Sequence, residues 1–379
     1  MPSPRLPLEL LYAIISHLGA EKDYASLCAC ASTCRALVSP AQARIFGSLT
    51  LRKESRTIPW LAKLQSTPHI QTYVKHLLLA QYHKPWIQHS EVLHRTLELL
   101  SPYVISLDIR HQVENTRFDF PVLSQLRCVE EISLTERDPE GLGDIVNRDH
   151  ALPTFLNYFP NLRAITFNDC WVQVERASKG DIAAPIFRLE RLYIHTCYDA
   201  SVLDWLVPAL SSLKTLHVQY TDPNSIPIFS DTAPSPPQLE SLEHVEVRDL
   251  DRASNAELRS LMAAVGTNTI NLLSITFMTS GSSSEHSPVK AVVQSLLILG
   301  AHRHLQHLAI GFFEEDDPVD GSPWDELQDL LLGGRFPALQ SVKFLFSLYS
   351  SGTNPVAPEH FIHAVPRLAL KKMISICYA

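Results

Sequence analysis

The stretches "LRAITFNDC" (Leu162–Cys170) and "LERLYIHTC" (Leu189–Cys197) share one form, L-x-x-L-x-L-x-x-C, with isoleucine or phenylalanine replacing leucine at some inner positions. The fourth and sixth positions are apolar and one residue apart, so in an extended chain both point to one side while the residues between them face away. The same unit begins at Val74, Val104, Val129, Leu213, Leu242, Leu272, Leu305 and Leu339, which makes ten copies spaced by 24 to 34 residues. One copy would mean nothing, because any strand can supply it; ten at this spacing mark an internal repeat. Such a short strand is not stable alone. Stacked on its neighbours it pairs its backbone and buries its apolar residues in a continuous core, at about 1.5 to 3 kcal/mol per large side chain. A parallel sheet is therefore expected.

Between these units the pattern becomes helical: "SEVLHRTLELL" from Ser90, "ASVLDWLVPAL" from Ala200, "SNAELRSLMAAVG" from Ser254 and "SPWDELQDLLLGG" from Ser322. Ser254 with Glu257 reads as a capping box, Ser322 before Pro323 as a helix N-cap, and Gly266 and Gly333 as helix stops. The fold class is α/β.

This pattern resembles the leucine-rich repeat family, whose unit closes on Asn or Cys, as Cys170 and Cys197 do here. The resemblance spans about residues 71–346. It implies a right-handed, irregular solenoid of ten to eleven repeats with its parallel sheet on the concave face, and a small polar group turned inward at Cys170, Cys197, Thr221, Ser280 and Ser347. Tyr82, Gln112, Arg137, Leu250 and Phe313 occupy that place elsewhere, so the turns vary. "LALKKMISICY" near the C-terminus adds a degenerate last strand. Three stretches break the rhythm: Thr221 to Gln238 with five prolines, "SGSSSEHS" from Ser280, and the acidic "EEDDPVDGSP" from Glu314. These read as loops.

Composition limits the function. The 379 residues are 45% apolar and 19% charged, enough for a large core, and the net charge of −8 lacks the basic footprint of a nucleic-acid binder. No apolar run approaches the roughly 20 residues of a membrane span. Seven cysteines without a secretory signal point to reduced thiols in cytosol or nucleus.

The N-terminal "LPLELLYAIISHL", Leu6 to Leu18, is a helix apolar on more than one face, with Pro7 expected at its first position. "DYASLCACASTCRALVS" follows as a second helix capped by Asp23, and a third is expected to start at Ser39, Pro40 and Gln42 before the short strand "SLTL". So small a bundle needs something to dock on. The order L-P-x-E-L-L-x-x-I-x-x-x-L, a Leu- and Cys-rich helix with Cys-Arg, and an "IF-x-S-L-T-L" close resembles the F-box. That resemblance implies docking on the Skp-type adaptor of a cullin-RING ubiquitin ligase through Leu6, Pro7, Leu10, Leu11, Ile14, Leu18 and Leu27, with Cys30 behind them. Leu37 stands where the family usually has Trp or Phe. The implied organisation is an F-box over residues 1–51, a connector over 52–70 and the repeats over 71–379.

If the sheet curves as in that family, fifth and seventh positions line its concave side. Tyr193, His195, His217, Gln219, Glu246 and Arg248 then meet mid-sheet, mixing an aromatic residue, charges and hydrogen-bonding groups, and form the candidate site for a protein substrate. Met278, Phe312, Leu345 and Phe346 are unusually apolar for that face.

The chain shows no phosphate-cradling loop, nucleophile elbow or zincin motif. Cys28, Cys30 and Cys34 lean to different faces of a helix and read as packing residues rather than metal ligands, and His302, His304 and His307 lead into a strand. No metal, cofactor or catalytic role is expected. The reading is an F-box substrate receptor that captures a protein for ubiquitylation; the alternative is a leucine-rich-repeat binding scaffold acting outside a ligase.

Overall fold

A computed structural model describes residues 7–82, 86–112, 120–136, 147–148, 151–170, 172–173, 183–197, 205–220, 239–250, 253, 255–269, 271–279, 288–312, 321–346 and 365–378. Three N-terminal helices lead into a long run of parallel strands interleaved with helices, an α/β solenoid. The chain divides into two compact units, Met1–Ile145 with Thr154–Leu162, and Val146–Pro153 with Arg163–Ala379.

In the first unit α1 (Leu8–Ala20), α2 (Tyr24–Thr33) and α3 (Arg35–Phe46) precede strand β1 (Ser48–Leu51). Pro7 keeps an extended ψ of 143° and its carbonyl accepts from Leu11, so it caps α1 instead of opening it as expected. Asp23 caps α2 as expected, accepting from the Ser26 N–H at 3.1 Å. The second helix stops sooner than the sequence suggested. Ser32 and Thr33 hydroxyls bond back to the Ala29 and Cys30 carbonyls at 2.7 Å, and Cys34 is extended. The third helix therefore starts at Arg35, not Ser39, and carries Pro40 inside it. Ile15, Leu27 and Leu37 form the bundle core, with Leu11, Leu18, Cys30 and Ile45 packed against it.

Strands β1, β2 (His76–Tyr82), β3 (Ser106–Gln112) and β4 (Glu131–Glu136) pair in parallel in that order. The segment expected as a connector holds helix α4 (Glu54–Ser66), whose polar stretches hide its period in the sequence. Helix α5 (Glu91–Leu100) starts as expected at Ser90, whose hydroxyl accepts from the Leu93 N–H and donates to Glu54.

The second unit carries β5 (Ala164–Cys170), β6 (Arg191–Cys197), β7 (Thr215–Gln219), β8 (His244–Arg248), β9 (Ser274–Thr279), β10 (His307–Phe312), β11 (Ser341–Phe346) and β12 (Ile374–Tyr378). Each pairs in parallel with the next. All ten sequence units are strands, and the degenerate last strand is present. Fourth and sixth positions fill the core: Ile165, Leu192, Leu216, Phe277, Leu308 and Phe344 are each fully buried.

Behind the sheet lie α6 (Asn255–Asn268), α7 (Pro288–Leu299), α8 (Gly321–Leu332) and α9 (Pro366–Leu370). The helix expected from Ala200 is, in its described part, chiefly a 3₁₀ turn over Val207–Ser212 containing Pro208. Helix α7 was hidden behind the serine-rich stretch. Gly266 is no stop: α6 runs through it, and a Cβ there would sit 2.5 Å from the Leu299 carbonyl oxygen, so the glycine lets α6 approach the end of α7. Helix α8 starts at Gly321, which places Ser322 inside it rather than at its cap, and Gly333 follows its end as expected.

A backbone seam runs along each unit. The Gly47 carbonyl accepts from both Lys75 and His76, the Lys75 carbonyl from Ile105 and Ser106, and the Ile105 carbonyl from Glu130 and Glu131. In the second unit Arg163, Glu190, Lys214, Glu243, Leu273 and Gln306 repeat the arrangement, each carbonyl using both lone pairs on the next repeat.

The inward polar positions Cys170, Cys197, Thr221, Ser280 and Ser347, the side chains of Ser254 and Glu257, and the loops at 221–238 and 280–287 lie outside the described residues or side chains, as does most of the acidic loop from Glu314.

Candidate functional site

Two surfaces collect the residues singled out by the sequence. The first is the face of the second unit's sheet opposite the core. Strand register sets Tyr193 beside His217 and His217 beside Glu246, while His195, Gln219 and Arg248 form a parallel row two residues along. All six predicted residues meet here, because the alternation that buries Leu192, Leu216 and Val245 turns their neighbours outward.

Side-chain bonding ties the group together. The His217 Nδ1 lies 3.3 Å from Glu246 Oε2, and Arg248 Nε donates to Glu246 Oε1 at 2.7 Å. The His195 and His217 rings are 4.8 Å apart, with Tyr193 5.8 Å from His217. Gln219 Nε2 donates to Asp249 Oδ2 at 2.8 Å, which orients its amide so that Oε1 accepts from His195 Nδ1 at 2.8 Å. Asp249 was not anticipated. By strand alternation it belongs on the core side, but its φ of 51° ends β8 and swings it to Gln219.

His217 is only 6% exposed, and its Nε2 has no partner among the described residues. Burial pushes its pKa down to about 4; the charges of Arg248 and His195 act the same way and Glu246 opposes them. The ring is neutral at pH 7, with its Nδ1 facing the Glu246 carboxylate. Carboxylates, a guanidinium, an amide and three rings thus form one connected polar group on the outer face of the sheet.

Toward the end of the sheet the apolar residues separate. Phe312 is 9% exposed and turns to the core, 6.0 Å from Trp324 of α8, which corrects its assignment to the outer face. It stands two residues past the sixth position, Ile310, and so has the same parity, and β10 stays extended through it. Met278 is on the outer face but lies over Gly311, whose missing side chain makes room for the thioether. Leu345 is half-buried and the Phe346 side chain lies outside the described set.

The second surface is α1. Leu27 is fully buried, while Leu11, Leu18 and Cys30 lean into the bundle. Pro7, Leu10 and Ile14 are exposed on one flank of the packed side and Leu8 and Tyr12 on the other, so that Leu8, Leu10, Tyr12, Ile14 and also Tyr24 of α2 are 42% to 53% exposed. The expected adaptor set therefore divides into an inner half that builds the module and an outer half that is free; Leu6 lies outside the described residues. Leu37 does the work of a core residue, at 6% exposure.

Among the described residues, no group of three or more His, Cys, Asp or Glu side chains is placed to hold a metal ion. Only Cys30 packs as expected: Cys28 and Cys34 are exposed free thiols rather than packing residues, while His302 is buried against the Gly266 backbone and His307 bonds Ser341. Among the same residues no helix is long and apolar enough to cross a membrane. No protein-family model and no curated protein matches the chain.

Proposed function

We propose that the chain is the substrate-recognition subunit of a Skp/cullin/F-box ubiquitin ligase, with the N-terminal helices docking the Skp-type adaptor and the open sheet face holding a protein substrate. The observation that carries this reading is the apolar surface that α1 leaves exposed on both flanks of its packed side. Leu8, Leu10, Tyr12 and Ile14 remain 42% to 53% exposed although the bundle already has a complete core in Ile15, Leu27 and Leu37. They form two pairs, Leu8 with Tyr12 and Leu10 with Ile14, one along each flank of the packed side, and apolar surface left over after the module has packed is what a protein partner would cover. The order of sequence elements that resembles the F-box supports the choice of partner. The chain performs no covalent chemistry in this reading; it raises the local concentration of its substrate near a conjugating enzyme. The polar group around His217 is the substrate surface.

The test is co-purification of the full chain with a Skp-type adaptor, beside a variant carrying Leu10→Ala and Ile14→Ala. Both side chains are about half exposed, so the variant keeps its fold. A stoichiometric complex that the variant loses supports the receptor. Absence of any complex with the wild-type chain overturns it and leaves a repeat scaffold acting outside a ligase.

A further inference from the structure

The outer face of the second unit's sheet changes character past the His217 group. Strands β9 to β12 contain neither Asp nor Glu, in a chain whose net charge is −8. Two cations bound this carboxylate-free stretch. On its near side Arg248 of β8 donates from Nε to Glu246 at 2.7 Å, which orients the guanidinium and leaves both terminal nitrogens unbonded among the described residues, on a side chain 42% exposed. On its far side Lys343 of β11 is exposed and makes no ion pair among the described residues. The neighbouring carboxylates are committed elsewhere. Glu246 gives one oxygen to Arg248 and the other faces His217 Nδ1 at 3.3 Å, while Asp249 is turned toward β7 by Gln219.

Between the two cations the ground is low and apolar. On β10 the outward residues Ala309 and Gly311 are small, whereas the strands on either side carry Met278 and Leu345 in register with Gly311. Met278 leans so far across Gly311 that a Cβ there would lie 2.3 Å from its sulfur. Its thioether is unbranched and adaptable, and so makes a wall that can fit itself to a side chain seated over Ala309. We infer that this furrow seats one large apolar side chain from an extended acidic segment of the substrate, whose carboxylates on either side pair with Arg248 and Lys343. The inference rests on the reading of the open sheet face as the substrate surface, and not on the adaptor.

Strand geometry sets the spacing. Arg248 and Lys343 are three strand spacings apart, about 14 Å, and two residues apart along the strands, about 7 Å, which makes about 16 Å in all. An extended chain advances about 3.3 Å per residue, so the order acidic-x-apolar-x-acidic covers about 13 Å and reaches both cations with the length of its own side chains. The free fork of Arg248 suits a bidentate carboxylate, and Lys343 acts as a mobile point charge. A nucleic-acid strand fits less well, because two cations this far apart across an apolar floor do not track a phosphate backbone.

Fluorescence anisotropy with labelled, end-capped peptides and the full chain tests this. The probe carries Glu-Ser-Leu-Ser-Glu between glycine and serine flanks; one control replaces both Glu by Gln, and the other replaces Leu by Ser. The wild-type chain binds the probe, and binds each control about tenfold more weakly or worse. Lys343→Glu weakens binding of the probe about five- to tenfold, whereas Arg335→Glu, the same charge change in the turn after α8, leaves it unaltered. Arg248→Gln weakens it about tenfold. Thermal melts report whether losing the bond to Glu246 has cost that variant its fold, in which case Lys343→Glu decides alone. Equal binding of the probe and either control overturns the inference, and so do equal effects of Lys343→Glu and Arg335→Glu. A wild-type chain that binds none of the peptides, whether its face is bare or held by a second copy, overturns it as well. The adaptor enters none of these measurements, so its co-purification succeeds or fails separately.

Discussion

Replacing Gly266 by alanine should destabilise the protein, against the usual direction for a glycine within a helix. In a solvent-facing helix interior, Gly→Ala gains about 1 kcal/mol, since alanine loses less backbone entropy on folding. Here the added Cβ would stand 2.5 Å from the Leu299 carbonyl oxygen, 3.2 Å from its carbon and 3.3 Å from its Cα, whereas ordinary contact begins at 3.4 Å. All three atoms are backbone, so no rotamer change relieves the overlap, and α6 and the end of α7 must part by about 0.9 Å, the difference between 3.4 and 2.5 Å. Overpacking of this kind costs about 1 to 3 kcal/mol, and the immobile neighbour places it near the top of that range. Subtracting the helix gain leaves a net loss of about 2 kcal/mol, or roughly 4 to 8 °C in Tm for a unit of this size. His302 provides a local reporter, because its ring N–H donates to the Gly266 carbonyl. Thermal and urea melts of Gly266→Ala, followed by circular dichroism, measure the effect. An equal or higher Tm would refute the close approach of α6 to α7.

Three further outcomes follow from the same contacts. Trp324→Ala, at a side chain 1% exposed and 6.0 Å from both Phe312 and Phe344, should cost about 3 to 5 kcal/mol by chemical denaturation. Ser90→Ala removes both the cap of α5 and the bond to Glu54, and should cost about 1 to 2 kcal/mol in urea melts. His217, with a folded pKa of about 4 against an ordinary 6.5, is neutral when folded, while the unfolded chain takes up a proton below 6.5. Its contribution is therefore complete above pH 6.5, declines as pH falls toward 4, and stays flat below; His217→Gln should flatten the wild-type stability profile between those values, and an unchanged slope would contradict the buried neutral ring.

The strands were legible because their signal repeats: period-two alternation at ten places fixes both the elements and the face each residue takes. For the same reason the six site residues could be grouped before any coordinates, since parallel strands in register align fifth with fifth and seventh with seventh positions. The helices were harder. Helix α4 has only a partial apolar stripe, and α7 follows a serine-rich stretch that reads as linker. Asp249 and Phe312 show where alternation fails and where it was misapplied. Both stand two residues past the sixth position and both belong by parity to the core. Phe312 remains in the strand and obeys the rule against Trp324, while Asp249 leaves the strand through a positive φ, which no pattern of apolar residues encodes. At α3 the local hydroxyl bonds of Ser32 and Thr33 outweighed a capping box at Ser39 that looked convincing in the sequence.

The carbonyl seam has a consequence for how such a chain can change over generations. Each acceptor ties a repeat only to the next, through peptide groups that every residue except proline provides, and the side chains there range from Lys and Glu to Ile and Leu. A duplicated or deleted unit would have a single seam to reseal, with no matching side chain required. The irregular spacing of 24 to 34 residues is what that freedom would leave behind, with loop length drifting while the joint stays fixed.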